Sequence, residues 1–221
     1  MDIIQRPSND YVMSTRSEKD TIVWHFTGGG SLVGAEATLA KPDTVNVHFI
    51  IDFDGKIYQY MKEDRWAYHT GQNAAKDSKG DYLYWCKRSF GVEIVNWGGL
   101  TLVDGLYLPY TNSVRQAVNP DMVLRLSYAR SGYKYYHALT VAQIESIEWL
   151  DKYLSSKHKI VNRITHADIS TKKHDFPPDY PWLPRTPEMF HYTYNNLYFP
   201  GTTQKVTFVD GRTPYQCKAV L

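Results

Sequence analysis

The chain is poor in cysteine: Cys86 and Cys217 are the only two in 221 residues, and they lie far apart. Two cysteines cannot build a disulfide framework, and no Cys-x-x-Cys pair offers a zinc knuckle. Long apolar runs are missing too. Nowhere do 18 apolar residues follow one another, so no membrane span is expected. The opening "MDIIQRPSNDYVMS" lacks the basic start and apolar stretch of a secretion signal, and a chain made in the cytoplasm is the expectation. Charge of one sign is also scarce. The formal net charge is +2, with acidic and basic residues interspersed, whereas duplex-DNA binders usually concentrate a basic stripe. No nucleic-acid partner is expected, and no repeat or low-complexity tract is visible.

What the chain does have is aromatic surface. Hydrophobic residues make up 43% and aromatics 14%, with 18 Tyr and 6 Trp. That suffices for a substantial core, and amphipathic rings also suit wet grooves. The length fits one large domain, or one domain with an appendage.

Several segments have readable periodicity. "TIVWHFT" (Thr21–Thr27) is apolar and stops at "GGG", which reads as a buried strand. "GAEATLAKP" (Gly34–Pro42) reads as a short helix ended by proline. "VNVHFIIDFDGKIYQYM" reads as two strands joined at Asp54–Gly55, and "FGVEIVN" (Phe90–Asn96) as another buried strand. Trp97 to Tyr136 reads as loop, rich in Gly, Pro and Asn. Thr140 and Gln143 form a capping box ahead of a helix whose apolar stripe is Val141, Ile144, Ile147, Leu150 and Leu154. "KIVNRIT" reads as a returning strand. Strands mixed with helices, one hairpin among them, predict an α/β or α+β fold: a central mixed sheet flanked by helices. Residues 1–192 are expected to form the domain. Residues 193–221, with a turn signal at Asp210–Gly211, are expected to form a C-terminal extension packed on it.

Three apolar strands each carry one ionisable residue: His25 in "IVWHFT", Glu93 in "FGVEIVN", and His166 closing "VNRITH". A lone strand histidine is more often a hydrogen-bonded core residue than a ligand. A buried glutamate is rarer, because an ionised carboxylate is costly to bury without a partner. Asp175 follows His166 by nine positions on a proline-flanked loop and could converge with it on one ion. Two histidines, one carboxylate and a fourth position left to water are the pattern of a catalytic zinc.

With these residues in view, the chain resembles the zinc-dependent N-acetylmuramoyl-L-alanine amidases of the peptidoglycan-recognition superfamily, which include phage endolysins and muropeptide amidases. Five segments carry the resemblance in order: "IVWHFTGGG", "VHFIIDFDGKIYQ", "WAYHTG", "SFGVEIV" and "THADISTKKHDFPP". Together they cover roughly residues 20 to 182. The resemblance implies an amidase type 2 fold, with His25, His166 and Asp175 as zinc ligands. Glu93 would be the acid–base residue, Lys173 the oxyanion stabiliser, and His69 a groove residue contacting substrate. His48 would support packing or the surroundings of the ligands, while Lys172 and His174 would have no part in the chemistry. Val47 precedes His48 where some relatives have Tyr, and the presence of Glu93 places the chain with the glutamate-bearing type. The "CKRSFG" stretch lacks an Asn often found before the glutamate strand.

The resemblance implies hydrolysis of the amide between N-acetylmuramic acid and L-alanine, with peptidoglycan or muropeptides as partner. The expected protein is a monomeric phage endolysin, held in the host cytoplasm until it reaches the wall. A cytosolic muropeptide-recycling amidase and a non-catalytic peptidoglycan-binding module are the alternatives. Non-catalytic members typically lack a complete ligand set, and here the set is whole.

Overall fold

The computed structural model describes residues 1–6, 16–39, 45–72, 74–110, 116–126, 133–170, 172–177, 180 and 182–184, and the backbone of 207–208. Its strands form two sheets. The first has the order β1 (Ile3–Gln5), β4 (Ile57–Gln59), β3 (Phe49–Ile51), β5 (Ser89–Ile94), β2 (Thr21–Phe26), β10 (Asn162–Thr165). Strands β3, β5, β2 and β10 run parallel, and β4 turns back on β3 through the hairpin at Asp54–Gly55. The fold is thus a mixed α/β sheet, as the alternation of elements predicts.

The continuous apolar runs of β2 and β5 follow from their being covered on both faces. Ile22, Trp24, Phe26, Phe90, Val92 and Ile94 face α3 (Val141–Lys157), which packs Ile144, Ile147, Leu150 and Leu154 against them. Burying each such side chain contributes about 1.5–3 kcal/mol. The capping box at the start of α3 is made in both directions. Thr140 Oγ1 accepts from Gln143 N–H, and Gln143 Oε1 accepts from Thr140 N–H, each at 3.1 Å. The other face carries α1 (Leu32–Leu39), α2 (Tyr84–Arg88) and the short α4 (His166–Ile169). Residues 40–42, expected to finish α1, lie outside the described residues.

Residues 97–136 are not simply loop. They contribute β6 (Gly99–Val103), β7 (Leu106–Pro109), β8 (Val123–Arg125) and most of β9 (Tyr135–His137) to a second, antiparallel sheet of order β11-β8-β9-β6-β7. A hairpin signal was available here. Leu-Thr-Leu-Val and Leu-Tyr-Leu flank Asp104–Gly105, both of which take positive φ, at 50° and 80°. That is the backbone of a two-residue hairpin turn. Strands β8 and β9 are three residues each, too short to reveal a period of two.

Asn96, at the end of β5, ties the sheets together: its amide donates to the carbonyls of His137 (3.3 Å) and Ala138 (3.2 Å). Beyond residue 192 only β11 (Thr207–Phe208) is described, paired with β8; the turn expected at Asp210–Gly211 lies outside the described residues.

Candidate metal centre

The register of the parallel strands brings the ionisable residues together. In it His25 lies opposite Glu93 and Trp24 opposite Thr165, so His166 follows directly beside His25. All three stand at the carboxyl ends of adjacent strands, where ligand sites of open α/β sheets form. His166 opens α4 instead of closing β10. The Asp168 carboxylate accepts the Thr165 backbone N–H at 2.7 Å and fixes that first turn.

Asp175 arrives from the following loop. The next residue anchors it: the Phe176 ring is fully buried, edge-on to Phe26 (5.4 Å) and Tyr180 (4.7 Å). Its backbone is held at φ +49°, a left-handed conformation unfavourable for a bulky residue.

Three atoms converge. His25 Nδ1 lies 3.0 Å from His166 Nδ1, and Asp175 Oδ2 lies 3.4 Å and 3.3 Å from the two. These three residues are the metal-competent cluster found among the described residues. A tetrahedral ion with nitrogen and oxygen ligands at about 2.0–2.1 Å spaces its ligand atoms about 3.3–3.4 Å apart. His166 Nε2 donates to the Thr70 carbonyl at 2.9 Å, so a neutral His166 turns a lone pair inward at Nδ1. Spacing and donor character both fit a zinc ion.

The electrostatics agree with a site built for a cation. Burial pushes His25 down to about 4, against the pull of the adjacent Asp175 carboxylate. Burial opposes ionisation of Asp175, but the adjacent His166 and His25 rings outweigh it and hold its carboxyl below the usual range. Glu93 is 7% exposed, and its Oε2 is buried with no hydrogen-bond partner among the described residues. Burial, then the charge of Asp175, pushes its carboxyl well above the ordinary value, while Lys173 draws it back. Lys173 is itself exposed, and its charge bears on both His25 and Glu93. Lys172 is exposed.

His48, His174 and His69 are not among the converging atoms. His48 accepts from Gly91 N–H at 3.0 Å and donates to the Arg65 carbonyl at 2.8 Å, so both ring nitrogens serve packing. His174 packs against Tyr110 (4.7 Å), Tyr133 (5.3 Å) and Phe26 (5.4 Å). His69, expected on the groove, is 3% exposed, with Nδ1 2.9 Å from His25 Nε2 and Nε2 3.1 Å from Ser89 Oγ.

Two rings that sequence reasoning did not single out flank the second sheet and press on the loop that leaves the His25 strand. A Cβ added at Gly28 would lie 2.6 Å from the Tyr110 hydroxyl, and one at Gly30 would run into the Trp97 ring. Burial, then the charge of Asp175, raises Tyr110 to about 12. The available signal was the "GGG" after His25, which leaves room for rings to press on the backbone.

The family model for N-acetylmuramoyl-L-alanine amidase matches residues 15–179, about three quarters of the chain. The chain belongs to the N-acetylmuramoyl-L-alanine amidase family. Solved structures share this amidase fold. AmiD from E. coli, in complex with the substrate anhydro-N-acetylmuramic acid-L-Ala-D-γ-Glu-L-Lys, is 21% identical, with a TM-score of 0.52 over 77% of this chain and 57% of its own. AmpD is 20% identical, with a TM-score of 0.51 over 86% of this chain and 92% of its own. AmpDh3 from Pseudomonas aeruginosa, in complex with anhydromuramic pentapeptide, is 17% identical, with a TM-score of 0.50 over 79% and 61%. This amidase-family chain therefore spans little more than half the length of AmiD. No curated protein matches it. Among the described residues no helix is long and apolar enough to cross a membrane.

Proposed function

We propose that this chain hydrolyses the amide bond between N-acetylmuramic acid and L-alanine in peptidoglycan, using a zinc ion held by His25, His166 and Asp175. The observation that carries the reading is the convergence of three lone-pair atoms at 3.0–3.4 Å beside the buried, unpartnered Glu93 oxygen. Bound there, zinc would supply Lewis acidity, acidifying water and polarising the scissile carbonyl.

The chain's own residues do the remaining work. Glu93 takes a proton from the attacking water and passes it to the alanine nitrogen, which leaves as the amine while the lactyl group becomes a carboxylate. Lys173 is the cation that balances charge building on the carbonyl oxygen. Residues 1–192 act as the catalytic domain, with 193–221 an extension, and the working species is a monomer.

Within that chemistry we favour a phage endolysin, held in the host cytoplasm and reaching the wall through a separate pore former. Tyr110, just past β7 and within reach of the Asp175 charge, and Trp97, which covers Gly30 on the loop leaving the His25 strand, suit the sugar rings of a polymer. A muropeptide-recycling amidase is the second reading, supported by the anhydromuramic ligands of AmiD and AmpDh3.

The deciding experiment offers zinc-loaded protein two substrates, purified sacculi and a small anhydro-muropeptide, and reads the products by mass spectrometry. Peptides with free N-terminal L-alanine released from sacculi are expected. Cleavage of the anhydro-muropeptide alone would replace the endolysin role with recycling. No cleavage of either would end the amidase reading.

A further inference from the structure

The His25 ring has a second nitrogen, and what that nitrogen touches is unusual. In the β2–β5 register Thr21 lies opposite Ser89, Val23 opposite Gly91 and His25 opposite Glu93. Alternate residues of a strand share a face, so Ser89, Gly91 and Glu93 line the same side as His25. His69 lays its ring on this strip directly over Gly91: a Cβ there would sit 2.5 Å from His69 Cγ. The seat leaves His69 between two partners, with Nδ1 2.9 Å from His25 Nε2 and Nε2 3.1 Å from Ser89 Oγ. Ser89 Oγ in turn donates to the Trp85 carbonyl one helical turn back, in α2. His25, His69 and Ser89 are all nearly or fully buried, so water does not offer substitute partners.

The donors and acceptors along this line can be assigned in only one direction. A carbonyl oxygen only accepts, so the single hydroxyl proton of Ser89 is committed to Trp85. Ser89 Oγ must then accept from His69 Nε2–H. A neutral imidazole carries one N–H, so His69 Nδ1 is a lone pair and accepts from His25 Nε2–H. His25 Nδ1 is left bare, pointing at His166 Nδ1 and Asp175 Oδ2.

We propose that His69 and Ser89 are positioning residues: they fix His25 in the tautomer that turns a lone pair toward the metal, and Gly91 is the seat that lets His69 do so. This rests on the zinc reading above and gives His69 a role inside the wall instead of contact with substrate. Metal-bound histidines usually donate their other N–H to a carboxylate, a carbonyl or water. His166 follows that habit through Thr70, whereas His25 reaches its carbonyl through two intermediate side chains.

The test has one measurement on the unmodified protein and one on variants. In zinc-loaded wild-type protein with 15N-labelled histidine, long-range proton–nitrogen correlation should place the His69 proton on Nε2 and the His25 proton on Nε2. A His69 proton on Nδ1 overturns the proposal. Zinc affinity is then measured by chelator competition. His69→Ala should bind zinc ~10–100-fold more weakly. His69→Asn, whose Oδ1 can accept where Nδ1 did, should recover most of that loss, which a purely structural role would not produce. Ser89→Ala should weaken binding less, roughly 3–10-fold. Equal zinc affinity in wild type and a folded His69→Ala overturns the proposal while leaving the zinc site intact. Failure of the wild type to bind zinc removes the site itself. Should His69→Ala not fold, the wild-type spectrum decides alone.

Discussion

Strands β2 and β5 gather buried and half-buried ionisable groups at both ends, and the two ends treat them in opposite ways. At the amino end, Arg88 pairs through both Nε and Nη2 with Asp20. Glu63 accepts from Tyr153 (2.9 Å), His158 (3.0 Å) and Lys157 (3.3 Å). Lys19, 4% exposed, donates to the Glu63 carbonyl (2.8 Å) and to Ser17 Oγ (3.0 Å) and lies 5.1 Å from the centre of the Phe90 ring. There each charge is met by a partner of opposite character. At the carboxyl end, lone pairs of His25, His166 and Asp175 face one another across 3.0–3.4 Å, and Glu93 turns an unpartnered oxygen beside them. Like groups placed together would repel; the arrangement makes sense around a cation. Buried charge alone therefore does not mark a site. Its being left incomplete does.

The sharpest way to break this contrast is to remove a converging atom. Asp175→Ala should cut zinc content from about one ion per chain to background and abolish turnover; elemental analysis after dialysis checks it, and retained zinc would mean the cluster is not the site. Next in size, Glu93→Ala should keep zinc and fold while losing ~10²–10⁴ in turnover. Near-normal activity in the zinc-loaded variant would pass the proton-transfer role to another group. Lys173→Met should cost ~10²–10³ in turnover with zinc retained, whereas Lys172→Met should do little. Kinetics on both variants test the register of that loop, and a sensitive Lys172 would reverse it.

The smallest effect belongs to the amino end and concerns stability. Burial lowers Lys19 to about 8 from its ordinary 10.5, against the pull of Asp64 and Glu63. Between those two pH values the unfolded chain binds the proton that the folded chain has released. Stability should therefore rise with pH across that window, by about 3 kcal/mol at most. The penalty is fully present below about pH 8. Urea unfolding at both limits, compared with Lys19→Met, isolates the term, and parallel curves for the two proteins would remove it.

Much of this was legible from residue order alone. His25, Glu93 and His166 stand out because each interrupts an apolar strand, and strands of that texture are buried in a parallel sheet. The capping box of α3 is local chemistry and reads directly. What could not be read depends on lateral register. Nothing local tells His69 that it will rest on Gly91, because the contact requires knowing which face of β5 carries the glycine. The second sheet was hidden differently: a hairpin signal at Asp104–Gly105 sits among short strands and aromatic residues whose alternation is brief. Tyr110 and Trp97 gain their position over the glycine loop only when that sheet closes.

Their seats have a consequence for how such a molecule can be altered. Tyr110 and Trp97 press on Gly28 and Gly30, three and five residues after His25. The second sheet and the loop leaving the ligand strand are thus an interlocking pair that must be exchanged together. Trimming the sheet would strip the roof from the glycine loop, and giving those glycines side chains would lift the roof off. Anyone transplanting this sheet onto another member of the amidase family must carry the glycine triplet with it.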